Sequence, residues 1–83
     1  MNDILINKAK FKARRGLNEL DKIFVPFVEN KFLLLNAEDQ NIFLEFLELD
    51  DTYLSDLLIY KTEDCPERFF KIFSEISKFF SEI

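Results

Sequence analysis

Apolar residues return every three or four positions along most of this chain, the period of helices that bury one face. The clearest run is C-terminal: Phe69, Phe70, Ile72, Phe73, Ile76, Phe79, Phe80 and Ile83, with Lys71, Ser74, Glu75, Ser77 and Lys78 opposite. Leu17, Leu20, Phe24, Phe27, Val28 and Phe32 form a second stripe, and Ile42, Phe43, Phe46, Leu47 and Leu49 a third. A shorter pattern carries Tyr53, Leu54, Leu57, Leu58 and Tyr60, and the first segment, about Ile4 to Arg14, is weakly amphipathic through Leu5, Ala9 and Ala13. No convincing strand is present. The pattern predicts an all-α fold, a small compact bundle of about five helices forming a single domain over residues 1–83.

Punctuation residues set the expected boundaries. Gly16 is expected to end the first helix as a C-terminal glycine. Pro26 falls inside the second stripe and is expected to bend that helix or end it early, since it removes a backbone donor and crowds the preceding turn. Asn36 is a good N-cap for the third helix, with Glu38 and Asp39 in its first turn. Asp50 or Asp51 caps the fourth. Thr62 to Pro66 interrupts the pattern, and Pro66 suits the first turn of the fifth helix.

Composition narrows the chemistry. Eleven phenylalanines among 83 residues supply the large side chains that a small core needs. Each buried phenylalanine contributes about 1.5–3 kcal/mol. The sequence contains no histidine, one cysteine and one glycine. An imidazole base, a histidine metal ligand, a catalytic triad, a thiolate cluster and a glycine-rich phosphate loop are therefore excluded. The paired Asp50 and Asp51 offer too few convergent oxygens for a hard cation, so no metal site is expected and capping accounts for them better. Cys65 reads as incidental at a helix start. Carboxylates at caps and on polar faces of so small a domain offer little cleft, so the chain is not expected to be an enzyme.

Charge is distributed unevenly. Residues 1–16 hold five basic residues against Asp3, a balance of +4, while the remaining six bases and fifteen acids give −9. An acidic body repels phosphate, so nucleic acid is not an expected partner. The phenylalanine face of the last helix lacks a dense basic border, so no membrane association is expected either. No apolar run approaches a membrane span and the first residues lack a signal-peptide layout. The expectation is a cytoplasmic, monomeric protein.

The single glycine directs attention to one corner. It follows Arg14 and Arg15 and precedes Glu19 and Asp21. Two helices meeting there would present a guanidinium and a carboxylate side by side, each favoured by its local helix dipole. One reading is a well-built turn with an exposed ion pair, which contributes about 0–1 kcal/mol. The other is a docking tip. The residues alone leave both open.

The octet Arg14-Arg15-Gly16-Leu17-Asn18-Glu19-Leu20-Asp21 resembles the signature of the succinate dehydrogenase FAD assembly factors, R-G-x-x-E, commonly within R-R-G-x-x-E-L-D. Pro26-Phe27, then Asp50-Asp51 followed by Leu54 and Leu58, match further landmarks in order. Where many members carry a tryptophan, this chain has Leu57. The resemblance implies a bacterial assembly factor that binds the flavoprotein subunit of succinate dehydrogenase, or of fumarate reductase, and promotes covalent attachment of FAD to a partner histidine. It implies no cofactor held stably by this chain, FAD being delivered to or linked within the partner. Arg15, Gly16 and Glu19 become the expected partner-binding residues, with Arg14 and Asp21 flanking and Leu20 in the core. The alternative function is a regulatory, antitoxin-like adaptor that binds another protein and leaves flavinylation untouched.

Overall fold

A computed structural model describes residues 3–81, and every regular element among them is helical. Five α-helices run Asp3–Ala13 (α1), Asn18–Lys31 (α2), Ala37–Phe46 (α3), Asp51–Ser55 (α4) and Phe70–Ser81 (α5). A 3-10 turn, Phe32–Leu34, extends α2, a π turn, Asp56–Tyr60, continues α4, and a 3-10 turn, Glu67–Phe69, leads into α5. The radius of gyration, 11.8 Å, matches the roughly 12 Å of a close-packed chain of this length.

Each stripe finds its partner in the core. Helices α1 and α2 pack as a hairpin, α2 also meets α4 and α5, and α5 lies against α3. Phe24, Phe27, Phe32, Phe43 and Phe46 are fully buried, joined by Leu20, Leu54, Leu57, Ile72 and Ile76. The rings meet mostly edge to face: Phe24 with Phe46 at 6.2 Å between centroids, and Phe27 with Phe79 at 5.7 Å. Such contacts add about 0.5–1.5 kcal/mol each beyond area burial. Ala9 and Ala13 are completely buried, and their small side chains let α1 lie close on α2. Leu57 is a buried core residue.

Two caps lie where the sequence puts them. Asn36 accepts from the N–H of Asp39 at 2.8 Å, and Asp50 accepts from the N–H of Tyr53 at 2.9 Å. Each satisfies a backbone donor that the first helical turn leaves open. Gln40, buried, donates to the carbonyl of Phe32 at 3.1 Å and so closes the end of α2 from a neighbouring helix.

Several expectations are corrected. Gly16 is not a left-handed helix cap: its φ is not positive, α1 ends at Ala13, and the N–H of Arg14 closes that end on the carbonyl of Phe11. Pro26 does not end α2 early, because the helix runs on to Lys31. Burial of Phe24, Phe27 and Val28 on both sides of the proline holds the turn together. Leu17, expected in the buried stripe, is 38% exposed because it precedes the helix and its side chain leaves the stripe's face. Phe70, expected in the buried face of the last helix, is exposed, and Leu44 replaces Leu49 as a buried α3 residue. Pro66 sits just before a 3-10 turn, one turn ahead of α5 itself. Ile83 lies outside the described residues.

Candidate functional site: the corner between α1 and α2

Four residues, 14–17, join α1 to α2, and the link is held from behind. The Arg15 side chain, only 13% exposed, turns inward. Its Nε donates to Asp51 Oδ1 at 2.8 Å. One terminal nitrogen donates to the carbonyls of Lys12 at 3.0 Å and Leu47 at 2.7 Å, and the other to Leu49 at 2.9 Å. Four acceptors thus receive one guanidinium. The Lys12 carbonyl belongs to the last turn of α1, which has no acceptor role left within the helix, so the arginine completes that end as a C-terminal cation does. Leu47 and Leu49 belong to the link between α3 and α4, and Asp51 is the first residue of α4. Arg15 therefore fastens two links that are more than thirty residues apart in sequence. A planar fork with five donors suits this arrangement and a lysine does not.

The backbone of the corner is tied by the same groups. The N–H of Gly16 donates to Asp51 Oδ2 at 3.2 Å. The N–H of Arg15 donates to Asp21 Oδ1, and Lys12 Nζ pairs with Glu48. Asp50 and Asp51, adjacent in sequence, divide the work: one caps α4 and the other holds the corner.

What remains on the outside is different in kind. Arg14, Gly16, Leu17, Asn18 and Glu19 are all exposed. Glu19 lies in the first turn of α2 and has no hydrogen-bond or ion-pair partner among the described residues. Leu17 stands at the N-cap of α2 without a side-chain acceptor for the helix N–H groups. A serine or aspartate there would stabilise the helix by about 1 kcal/mol. The Leu17 methyls therefore face solvent at a position where local stability favours a polar residue.

The sequence-predicted set divides accordingly. Arg15 and Glu19 do not pair with each other: Arg15 faces Asp51 and Glu19 faces solvent. Asp21 is half-buried and engaged with the Arg15 backbone. Arg14 is exposed and lines a shallow cleft with Lys10, Val25 and Glu29. Gly16 is exposed, with its N–H on Asp51. Sequence reasoning missed Leu17 as a surface residue and Asp51 as the partner of Arg15. The missing polar residue before α2 was a legible signal for the first, and nothing local signals the second.

Other chemistry is sparse. Among the described residues no group of three or more cysteines, aspartates or glutamates is placed to hold a metal ion. Cys65 is half-buried, its Sγ 3.4 Å from the Pro66 carbonyl, and burial pushes its thiol up, away from thiolate reactivity. No described helix is long and apolar enough to cross a membrane.

The corner of this helical domain is thus braced from within and carries an unpartnered carboxylate and an exposed leucine on its outer side. The chain belongs to the flavinator of succinate dehydrogenase family, whose sequence model matches residues 7–80. It is 32% identical over 80 residues to the FAD assembly factor SdhE of Francisella tularensis, covering 93% of this chain and 83% of that one. It is 34% identical over 79 residues to the FAD assembly factor SdhE of Coxiella burnetii, covering 94% of this chain and 96% of that one. A third relative, the FAD assembly factor SdhE of Shewanella oneidensis, is 41% identical over 49 residues, 59% of this chain and 60% of its own. No solved structure matches.

Proposed function

We propose that this chain is an assembly factor that binds the flavoprotein subunit of succinate dehydrogenase, or of fumarate reductase, and promotes covalent FAD attachment there. The single observation that carries the reading is the family match over residues 7–80. The exposed, unpartnered Glu19 on a braced corner supplies the place where docking would occur.

The chain contains no histidine, and burial raises the pKa of its one cysteine, so it offers neither an imidazole nor a thiolate to a flavin. The attacking group is then the partner's, and this protein acts by positioning. Orienting two groups within a bound complex can lower a barrier by several kcal/mol, up to roughly 7–11. Gly16 allows the partner's backbone close to the corner, Glu19 makes the directional contact, and Leu17 and Arg14 flank it. Arg15 and Asp21 hold the corner's shape from inside. The chain itself is no enzyme, holds no cofactor stably, and acts as a monomer in the cytoplasm.

The test is to mix apo-flavoprotein with FAD, with and without this chain, and follow flavin fluorescence on a denaturing gel. The reading expects covalent flavin to accumulate faster with the chain present. Equal rates would overturn it.

A further inference from the structure

Glu19 and Ile23 lie one turn apart on α2 and share a face. Ile23 opens onto a groove of about 370 Å³ between α2, the π turn and α5. Ile23, Leu58, Phe73, Ile76 and Phe80 form its apolar wall, and Lys61 stands at its edge. Ile76 is buried, while the other four apolar residues are half-buried and so present part of their surface to the groove. The volume falls within the roughly 300–1,000 Å³ range of ligand-sized sites, enough for one large apolar side chain.

Two backbone features converge on the same place. The π turn Asp56–Tyr60, a geometry common at functional positions, carries Leu58 into the wall. Lys61 follows it with φ 58° and ψ 38°. It is the one non-glycine residue with positive φ among those described. Glycine would take that conformation at lower steric cost. A lysine kept in a strained position suggests that its side chain is used. Lys61 is exposed and has no ion-pair partner among the described residues.

We infer that this groove is the second anchor of the docking surface, taking an apolar side chain of the flavoprotein with a neighbouring partner carboxylate on Lys61. The inference rests on the docking reading of the corner, from whose Glu19 the groove residue Ile23 is one helical turn away on α2. The strip runs from a carboxylate, across an apolar hollow, to an ammonium. A partner segment that is basic, then apolar, then acidic complements it in one direction only, so the strip fixes register as well as affinity.

The experiment measures binding of recombinant apo-flavoprotein by calorimetry to wild type, Glu19→Ala, Lys61→Glu and Lys61→Gly, with melting curves for each. Lys61→Gly relieves the backbone and is expected to melt above wild type, yet to bind about tenfold more weakly, as expected for loss of a charge-assisted contact. Lys61→Glu is expected to bind more weakly still. In the complex, methyl resonances of Ile23, Leu58 and Ile76 are expected to shift. If both Lys61 variants bind as wild type, or those methyls do not move, while Glu19→Ala binds weakly, the groove inference falls and the corner stands. If wild type shows no binding, both fall.

Discussion

Nε of Arg15 donates to Oδ1 of Asp51 at 2.8 Å, and these two residues lie 36 positions apart. Arg15 thus points into the molecule, while Glu19, four residues later, points out. One residue shapes the corner and the other is free to meet a partner.

Replacing Arg15 should therefore read as a folding defect. Truncation strands Asp51 and the carbonyls of Leu47 and Leu49, which water reaches only in part. We expect Arg15→Ala to lose about 2–3 kcal/mol, given roughly 1.5–3 kcal/mol for bonds to charged groups and for orphaned acceptors. Arg15→Lys should lose at least about 1 kcal/mol, because an ammonium cannot serve four divergent acceptors. Urea unfolding measures both. Wild-type stability in Arg15→Ala with lost flavinylation would show instead that the guanidinium contacts the partner.

Gly16 separates fold from docking in the opposite way. A Cβ built there would lie 3.5 Å from Asp51 Oδ2, an ordinary contact, and the backbone φ is one that any residue adopts. Gly16→Ala is expected to keep stability within about 0.5 kcal/mol of wild type, aided by a stiffer unfolded chain. Gly16→Leu is expected to fold as well and, on the docking proposed for this corner, to lose flavinylation. Melting curves beside the flavin assay check the pair. A Gly16→Ala variant that unfolds would contradict the geometry.

Acid should loosen a second connection. Arg68 reaches Glu45 with Nε and a terminal nitrogen at 2.8 and 2.7 Å. Those hydrogen bonds hold the Glu45 carboxyl below the usual glutamate range, against desolvation that raises it. The Lys12 bond does the same for Glu48. A carboxyl depressed on folding contributes stability that is present above its unfolded pKa, about 4.3, and is lost as pH falls through the folded value. Wild type should therefore resist urea better than Arg68→Ala at pH 7, and the gap should close below about pH 4. Both groups are exposed, so the difference is small. A gap unchanged with pH would contradict the pairing.

The fold was legible where its causes are local. The stripe Leu20, Phe24, Phe27, Val28 and Phe32 and the caps at Asn36 and Asp50 follow from helical period and side-chain acceptors. The errors came from tertiary effects. Pro26 survives within α2 because packing on both sides outweighs the lost donor. The π turn at Asp56–Tyr60 and the left-handed Lys61 carry no composition signal, since neither glycine nor proline marks them. At the corner, the sequence assigned Arg15 and Glu19 to one surface, whereas Arg15 turns inward and Glu19 is exposed. The Asp51 contact that separates them joins distant parts of the chain, and no spacing rule foresees it.

The most direct test of a braced corner with an outward contact residue is Glu19→Ala, read for melting temperature and flavinylation in the same preparation. Glu19 is exposed and unpartnered, so its loss should cost no more than about 0.5 kcal/mol, the scale of a helix-dipole interaction. The account predicts a melting temperature close to wild type and a flavinylation rate reduced at least tenfold. A Glu19→Ala protein that flavinylates at the wild-type rate, or loses activity only in proportion to unfolded chain, would contradict it.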